Sequence, residues 1–522
     1  MENAGRAVAG EILRRWPNLE GVRVAALVGS GHNGGDGLIA AGALAEAGAQ
    51  VGVYLVLPRK EKDPWVTRVQ GRGLLVARAD QDQRYRVLRN LMTSAQLILD
   101  AVLGTGARLP LEAGVAEALQ VAGTAIRDRR DRPFLVAVDC PSGVDCDTGQ
   151  AAEEALEADL TVTIAAAKPG LLVGRGAAKT GELVVVDIGI PELPETDETP
   201  VVRLTAAEDA RRLLPRRPRQ GHKGTFGRVL VVAGSVNYPG AAALAARGAY
   251  RVGAGLVTLA SPAPLQALLA STLPEATWLL LPHQMGVIAE GGADVLAREM
   301  GKTEAIVFGP GFGQQETTVA FVESVFGARL AVAGGRIGFL HRGAIPQGPA
   351  VSFSPCVVDA DGLKLLGRLP DWPARLPAGS VVTPHPGEMA LLTGMTTDEI
   401  QADRIATAVR FAEQWNCVVV LKGAFTVVAA KGKANVMPFA TTALAHAGTG
   451  DVLAGAVAGL IAQGLEPFQA ATLGAYLHGE AGERAGMRIG SERGVLAGEV
   501  ADSLPQALAD LESGVGRDRP GR

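Results

Sequence analysis

Short apolar runs alternate with helical stretches along almost the whole of this chain, and several of the runs stop at a glycine or an aspartate. Repeated strand, turn and helix fold as a mostly parallel sheet covered by helices on both faces. A first series has strand-like runs at 22–28, 51–57, 97–100, 134–139, 160–164 and 183–188, with helices at 6–16, 38–47 and 115–121. A second starts near Gly227, with runs at 228–233, 256–260, 305–308, 356–359, 380–383 and 418–421. Small-residue helices at 451–463 and 468–485 close it. The stretch 191–200, acidic and proline-rich, ends the first series. The 522 residues therefore divide into two α/β domains, a doubly wound sheet over 1–200 and a second domain over 201–512. The glycine- and charge-rich tail at 513–522 is expected to be disordered.

Hydrophobic residues make up 48% of the chain and glycines number 67, enough for sizeable cores joined by many loops. The net charge of −4, with no long run of either sign, disfavours nucleic acid and a basic membrane face. The basic stretch 211–219 carries prolines and reads as a solvated connector. No apolar run is long enough to span a bilayer, and the N-terminus lacks a signal core. Four cysteines without a CxxC pair do not make a disulfide framework, so a cytoplasmic protein is expected.

In the first domain Gly29, Gly31 and Gly34 fit G-x-G-x-x-G between a strand and a helix. A dinucleotide fingerprint also needs an acid at the end of the second strand. That strand ends Val56-Leu57-Pro58-Arg59, which disfavours a nicotinamide dehydrogenase and leaves a phosphate-cradling loop with Asn33 and Asp36 as polar insertions. Ligands of open α/β sheets gather beyond the carboxyl ends of the strands. Asp36, Asp100, Asp139, Ser142 and Lys168 all fall at that edge. A lone strand-end aspartate is more often a turn cap, but three acids beside glycine turns can bind a cation and carry a proton.

The strings Gly29-Ser30-Gly31-His32-Asn33-Gly34-Gly35-Asp36-Gly37, Asp100-Ala101-Val102-Leu103-Gly104-Thr105-Gly106 and Asp139-Cys140-Pro141-Ser142-Gly143 resemble NAD(P)H-hydrate epimerases. That resemblance implies a Rossmann-like fold and a hydrated nicotinamide nucleotide held by Asn33, Gly34, Gly35, Asp36, Gly104, Thr105, Gly106 and Arg108. It further implies potassium on Asn33, Asp100 and Ser142, and Asp139 as the proton carrier against the substrate. His32-Asn33 stands where the family usually has Asn-Asn. The Met1–Gly5 string normally follows another helix, whose loss is expected to weaken the domain or its dimer contacts.

In the second domain, Ala447-Gly448-Thr449-Gly450-Asp451 leads into an apolar helix. A helix start offers unpaired N–H groups and a positive dipole end, which suit a polyphosphate. A carboxylate there is costly beside phosphate unless it handles a proton; the alternative is a glycine turn capped by Asp451. Tyr238-Pro239-Gly240-Ala241-Ala242 opens a helix of small residues, which either admits a flat ring or merely packs closely. Gly309-Pro310-Gly311-Phe312-Gly313 is a ligand-loop candidate, and Thr383-Pro384-His385-Pro386-Gly387-Glu388 holds a histidine between two prolines. Lys422-Gly423-Ala424-Phe425-Thr426 would place a cation and a hydroxyl near a nucleotide.

This ordered set resembles the ribokinase-like fold, in its ADP-dependent NAD(P)H-hydrate dehydratase branch, from about residue 204 to 508. The resemblance implies a hydrate site lined by Ala241, Gly311, Gly313 and His385, and a nucleotide site at Lys422, Gly423, Ala424, Phe425, Thr426 and Gly450. Asp451 is implied as the catalytic carboxylate. The chain departs from the pattern at Asp359-Ala360-Asp361-Gly362-Leu363-Lys364, where relatives end in Asn, and at Thr441 to His446. The joint implication is a bifunctional repair enzyme: it interconverts the epimers of NAD(P)HX and dehydrates the (6S) form with ADP, magnesium and potassium as a homo-oligomer. Two rivals remain, a ribokinase-like small-molecule kinase and a first domain that binds without turnover.

Overall fold

The computed structural model describes residues 1–60, 62–190, 201–327 and 353–514. The chain splits into two compact units, the first holding 1–190 and the second 201–400 with 404–514. The stretch 191–200, read as the domain end, and most of the supposed tail lie outside the described residues.

The first unit runs α1 (Glu2–Arg15), β1 (Arg23–Val28), α2 (His32–Glu46), β2 (Gln50–Leu55), α3 (Pro64–Gly71), β3 (Leu75–Arg78), α4 (Arg86–Ser94), β4 (Leu97–Ala101), α5 (Ala113–Arg127), β5 (Phe134–Val138), β6 (Leu160–Ile164), α6 (Gly174–Thr180) and β7 (Glu182–Val186). Its sheet is wholly parallel, in the order β3-β2-β1-β4-β5-β6-β7. Strands buried on both faces read as continuous apolar runs with side chains alternating between two cores. Val24, Ala26 and Val28 pack on one side, while Ala25 and Leu27 pack on the other. The order reverses between β1 and β4, so the crevice of a doubly wound sheet opens there.

At that crevice backbones touch. A Cβ on Gly29 would stand 1.9 Å from the Val102 carbonyl oxygen. Gly29→Ala is therefore expected to cost about 3 kcal/mol of stability by overpacking against rigid backbone, read by denaturant unfolding.

The second unit begins with β8 (Val201–Leu204) and α7 (Ala207–Arg212), then β9 (Arg228–Val232), α8 (Pro239–Arg251), β10 (Leu256–Pro262), α9 (Ala263–Leu269), β11 (Thr277–Leu281), the hairpin β12 (His283–Gln284) and β13 (Val287–Ile288), and α10 (Gly292–Ala297). There follow β14 (Ala305–Phe308), α11 (Glu316–Gly327), β15 (Cys356–Val358), α12 (Asp361–Leu366), β16 (Val381–Val382), α13 (Pro386–Thr393), α14 (Thr397–Ala402), α15 (Arg404–Trp415), β17 (Val418–Leu421), β18 (Val427–Ala430), β19 (Lys433–Val436), α16 (Thr449–Ala462), α17 (Pro467–Ile489) and α18 (Ala497–Ser513). The ten-stranded sheet is ordered β11-β10-β9-β14-β15-β16-β17-β18-β19-β8. It is parallel from β11 to β17 and antiparallel through β18 and β19. No described helix is long and apolar enough to cross a membrane.

Several expectations need correction. The second sheet does not start near Gly227, because β8 pairs in parallel with β19. Helix α1 begins at Glu2 rather than Arg6, and α16 at Thr449 rather than Asp451. The basic connector is not merely solvated: Arg211 and Arg212 belong to α7, and Arg217 stacks 4.0 Å above the Phe226 ring and donates to the Gly253 carbonyl. Close packing explains most of the small residues in α8. A Cβ on Gly248 would meet the Val452 carbonyl at 2.3 Å, and one on Gly455 would meet that of Ala245 at 1.9 Å.

Candidate active sites

In the first unit the crevice gathers the proposed cation ligands around one carbonyl. Asn33 Nδ2 donates to the Leu103 oxygen at 2.8 Å, and the Leu103 N–H donates to Ser142 Oγ at 2.9 Å. Ser142 in turn donates through its hydroxyl to Asp100 Oδ1 and through its N–H to Oδ2 at 2.8 Å. Burial raises the Asp100 carboxyl above its ordinary range, and the bonds from Ser142 oppose that rise. Asn33 Oδ1 is buried with no hydrogen-bond partner among the described residues. An orphaned carbonyl oxygen beside a buried carboxylate and a hydroxyl is a donor set for a weakly held cation.

Asp36 is buried in the first turns of α2, and burial pushes its carboxyl up to about 6, with Asp139 adding and the Met1 amino group opposing. Asp139 follows β5 with φ of +66°, a left-handed conformation that Asp tolerates better than most residues. Lys168 forms an ion pair with it. Gly104 is packed on Asn33, whereas Thr105, Gly106 and Arg108 lie exposed in the loop after β4. Arg59, noticed in the sequence only as a missing acid, clamps the glycine loop. Its guanidinium donates to the carbonyls of Gly29 at 2.5 Å and Gly31 at 3.0 Å, and to Asp63 at 2.9 Å.

In the second unit a cavity of about 160 Å³ lies between the β17–β18 loop and the start of α16. Lys422, Gly423, Ala424, Thr426 and Gly450 line it, so five of the six proposed nucleotide residues converge. Phe425 does not join them. It is fully buried, and its N–H donates to the Phe439 carbonyl at 2.7 Å, so its part is to fix the loop from behind. Met437, Phe439, Leu444 and Leu453 supply an apolar wall suited to a flat base, and the departure at Thr441 to His446 falls on this wall.

The cap of α16 is Gly448, with φ of +91°, and no side chain caps the helix. The alternative of Asp451 as a cap therefore fails. Asp451 Oδ2 lies 3.8 Å from where a Cβ on Gly448 would stand, so the carboxyl sits over the glycine loop. No hydrogen bond among the described residues reaches it. Burial pushes it up to about 8, Asp359 adds to the rise, and Lys422 opposes it.

Lys422 does not stand alone at this site. It pairs with Asp359 at 2.6 Å and Glu388 at 3.7 Å. Burial pulls its pKa down, but the two carboxylates outweigh that and hold the ammonium above its ordinary value. Asp359 also accepts from Thr383 Oγ1 at 2.8 Å, and its Oδ2 lies 3.5 Å from where a Cβ on Gly450 would stand. Asp359 and Glu388 went unremarked in the sequence as functional groups. The signal for Asp359 was present, since it closes β15 as Asp100 and Asp139 close theirs.

His385 is oriented by a reciprocal cap as well as by its prolines. Its Nδ1 accepts from the N–H groups of Gly387 and Glu388 at 3.0 and 3.2 Å, and Glu388 accepts from the His385 N–H at 3.0 Å. Burial holds its pKa below the usual value, with Glu388 opposing. Ala241 abuts Gly311, where a Cβ would meet it at 2.8 Å, and the Gly313 N–H donates to Asp361 at 3.0 Å. His478, also missed, is buried with its pKa pushed down to about 4 by burial, and its Nε2 bonds the Thr449 carbonyl at 2.8 Å.

Known proteins resemble both parts of the chain. Residues 1–170 match the family described as YjeF-related protein N-terminus, and residues 229–333 and 350–506 match NAD(P)H-hydrate dehydratase. The bifunctional NAD(P)H-hydrate repair enzyme of Moorella thermoacetica is 38% identical, over 99% of this chain and 95% of the relative. That of Escherichia coli is 33% identical, over 92% and 84%. A Bacillus subtilis structure described as an ADP/ATP-dependent NAD(P)H-hydrate dehydratase co-crystallised with ATP and Mg2+ is 30% identical, covering 60% of this chain and 99% of that one at a TM-score of 0.47. Similarity of this degree over nearly the full length shows that the chain belongs to the family of bifunctional NAD(P)H-hydrate repair enzymes.

Proposed function

We propose that residues 1–200 epimerise NAD(P)HX and that residues 201–512 dehydrate the (6S) epimer at the expense of ADP, releasing AMP and phosphate. The observation that carries the second half is Asp451, a carboxyl with no hydrogen bond among the described residues, over the glycine loop of α16 and next to the nucleotide cavity. Asp451 takes the proton of the ring hydroxyl as its oxygen attacks the terminal phosphorus of ADP, and AMP departs. Phosphate is a far better leaving group than hydroxide, so it is expelled, the neighbouring ring carbon gives up a proton to water, and the ring double bond returns. The loop N–H groups at Gly448–Gly450 stabilise charge developing on the transferred group. Asp359, whose Oδ2 faces Gly450, would hold magnesium, which would offset phosphate charge. His385, Ala241 and Gly311 line the hydrate side.

In the epimerase half, Asp139 handles the proton at the hydrated ring carbon, and the loop from Asn33 to Asp36 with Gly104 to Arg108 holds the nucleotide. Potassium fits Asn33 Oδ1, Ser142 and Asp100, where it would satisfy the orphaned oxygen and fix the loop. A homo-oligomer in the cytoplasm remains the expected form; four unpaired, buried cysteines suit a reducing compartment.

Product analysis separates this function from a kinase. Regenerated cofactor, AMP and free phosphate are expected in equal amounts, whereas a stable phosphorylated product would contradict the proposal. The pH profile supplies a second check. Asp451 must be ionised to act as base, so dehydratase kcat/KM is expected to rise about tenfold per pH unit up to about 8 and then level off. A flat profile from pH 6 to 9 would exclude Asp451 as the free-enzyme base.

A further inference from the structure

The Asp139 carboxylate is held asymmetrically. Oδ1 accepts from the Ile164 N–H at 3.0 Å, from Thr163 Oγ1 at 3.2 Å and from the Lys168 ammonium. No hydrogen bond among the described residues reaches Oδ2. A carboxylate oxygen offers about two lone-pair sites, so three donors saturate Oδ1 and leave Oδ2 to the substrate. Lys168 is itself fully engaged. Besides Asp139, its Nζ donates to Thr163 Oγ1 at 2.8 Å and to the Ile164 carbonyl at 2.9 Å, which accounts for all three of its protons. Its backbone is extended, as Pro169 after it requires, so the side chain starts from a fixed direction. Both charged side chains are shielded, at 18% exposure for Lys168 and 14% for Asp139, which strengthens the pair relative to one in open solvent.

We infer that Lys168 is a positioning residue of the epimerase: it occupies Asp139 Oδ1, fixes the orientation of the carboxylate, and leaves Oδ2 as the one oxygen that exchanges protons with the substrate. Lys168 does not touch the substrate in this arrangement, because a fourth partner would break one of its three bonds. The inference rests on the epimerase function proposed for the first unit.

The test measures epimer exchange of NADHX by chromatography, with the wild-type chain, Lys168→Met, Lys168→Ala, Lys168→Arg and Thr163→Val. Lys168→Met is expected to lower kcat about 100-fold while KM stays within about twofold, since a base of wrong orientation affects chemistry more than binding. Millimolar n-butylammonium is expected to restore part of the rate to Lys168→Ala and none to the wild type. Thr163→Val, which removes one donor, should lose about fivefold, and Lys168→Arg should keep more activity than Lys168→Met. Equal melting temperatures separate positioning from loss of fold; if Lys168→Met does not fold, Thr163→Val and Lys168→Arg carry the same comparison. A kcat within twofold of wild type for Lys168→Met, or a rise confined to KM, overturns the inference alone. Absence of epimer exchange in the wild-type chain overturns the proposed epimerase and the inference with it.

Discussion

Asp451→Asn is expected to lower dehydratase kcat by about 10³-fold while leaving epimer exchange unchanged and making the second unit more stable. The catalytic loss follows from removing the group that accepts the hydroxyl proton; such groups contribute about 10²–10⁴-fold. The stability gain follows from the same burial. A carboxyl whose folded pKa stands near 8, against an ordinary 3.8, binds a proton in the folded state that the unfolded chain has released. Its contribution is neutral below the unfolded pKa and becomes a penalty as pH climbs from about 4 towards 8. The neutral amide carries no such penalty, so the melting temperature at pH 8 is expected to rise by about 2–6 °C, and the gain should shrink at pH 5. Calorimetry at the two pH values checks the sign. A destabilised Asp451→Asn at pH 8 would mean that the carboxyl is bonded and structural.

Asp139→Asn is expected to abolish epimer exchange, by about 10³-fold, with dehydration of the pure (6S) hydrate untouched. Asn is the informative replacement because it tolerates the left-handed backbone at φ of +66° better than Ala does. Its amide oxygen can accept the three donors now on Oδ1, which turns the NH2 towards the place of Oδ2. The site then offers a donor that cannot take a proton. Lys168 loses its counter-charge, and a melting-temperature drop corresponding to about 1–2 kcal/mol should accompany the lost activity, discounted for the partial exposure of both groups. Chromatographic separation of the epimers over time measures the first effect. Retained exchange would move the proton-carrying role to another group, with Asp36 the first to examine.

Much of both sites was legible because the chemistry sits where parallel strands end. Asp100, Asp139 and Lys422 each follow an apolar run, and parallel-strand geometry brings such positions to the carboxyl edge of their own sheet, while the Gly448–Asp451 loop is marked by the apolar helix it opens. Strands without that mark were harder to see. The four-residue β3, with all of its residues at least partly exposed, and the antiparallel β18 and β19 lack a long apolar signature, and β8 is defined only by pairing with β19, more than two hundred residues later. Side-chain partnerships were illegible for the same reason. Nothing local says that Lys422 will meet Asp359 and Glu388, that Arg59 will turn back onto Gly29, or that Phe425 will point into the core. The pKa of Asp451 follows first from burial and then from those long-range neighbours, so its part as a base is visible only in the fold.

The most direct test of the two-site proposal is recovery of absorbance at the reduced-nicotinamide band from a mixed-epimer NADH hydrate with ADP, magnesium and potassium. Full recovery, faster than spontaneous epimer exchange allows, is the predicted result. Recovery that halts when the (6S) epimer is spent would contradict the epimerase half, and no recovery would contradict the whole.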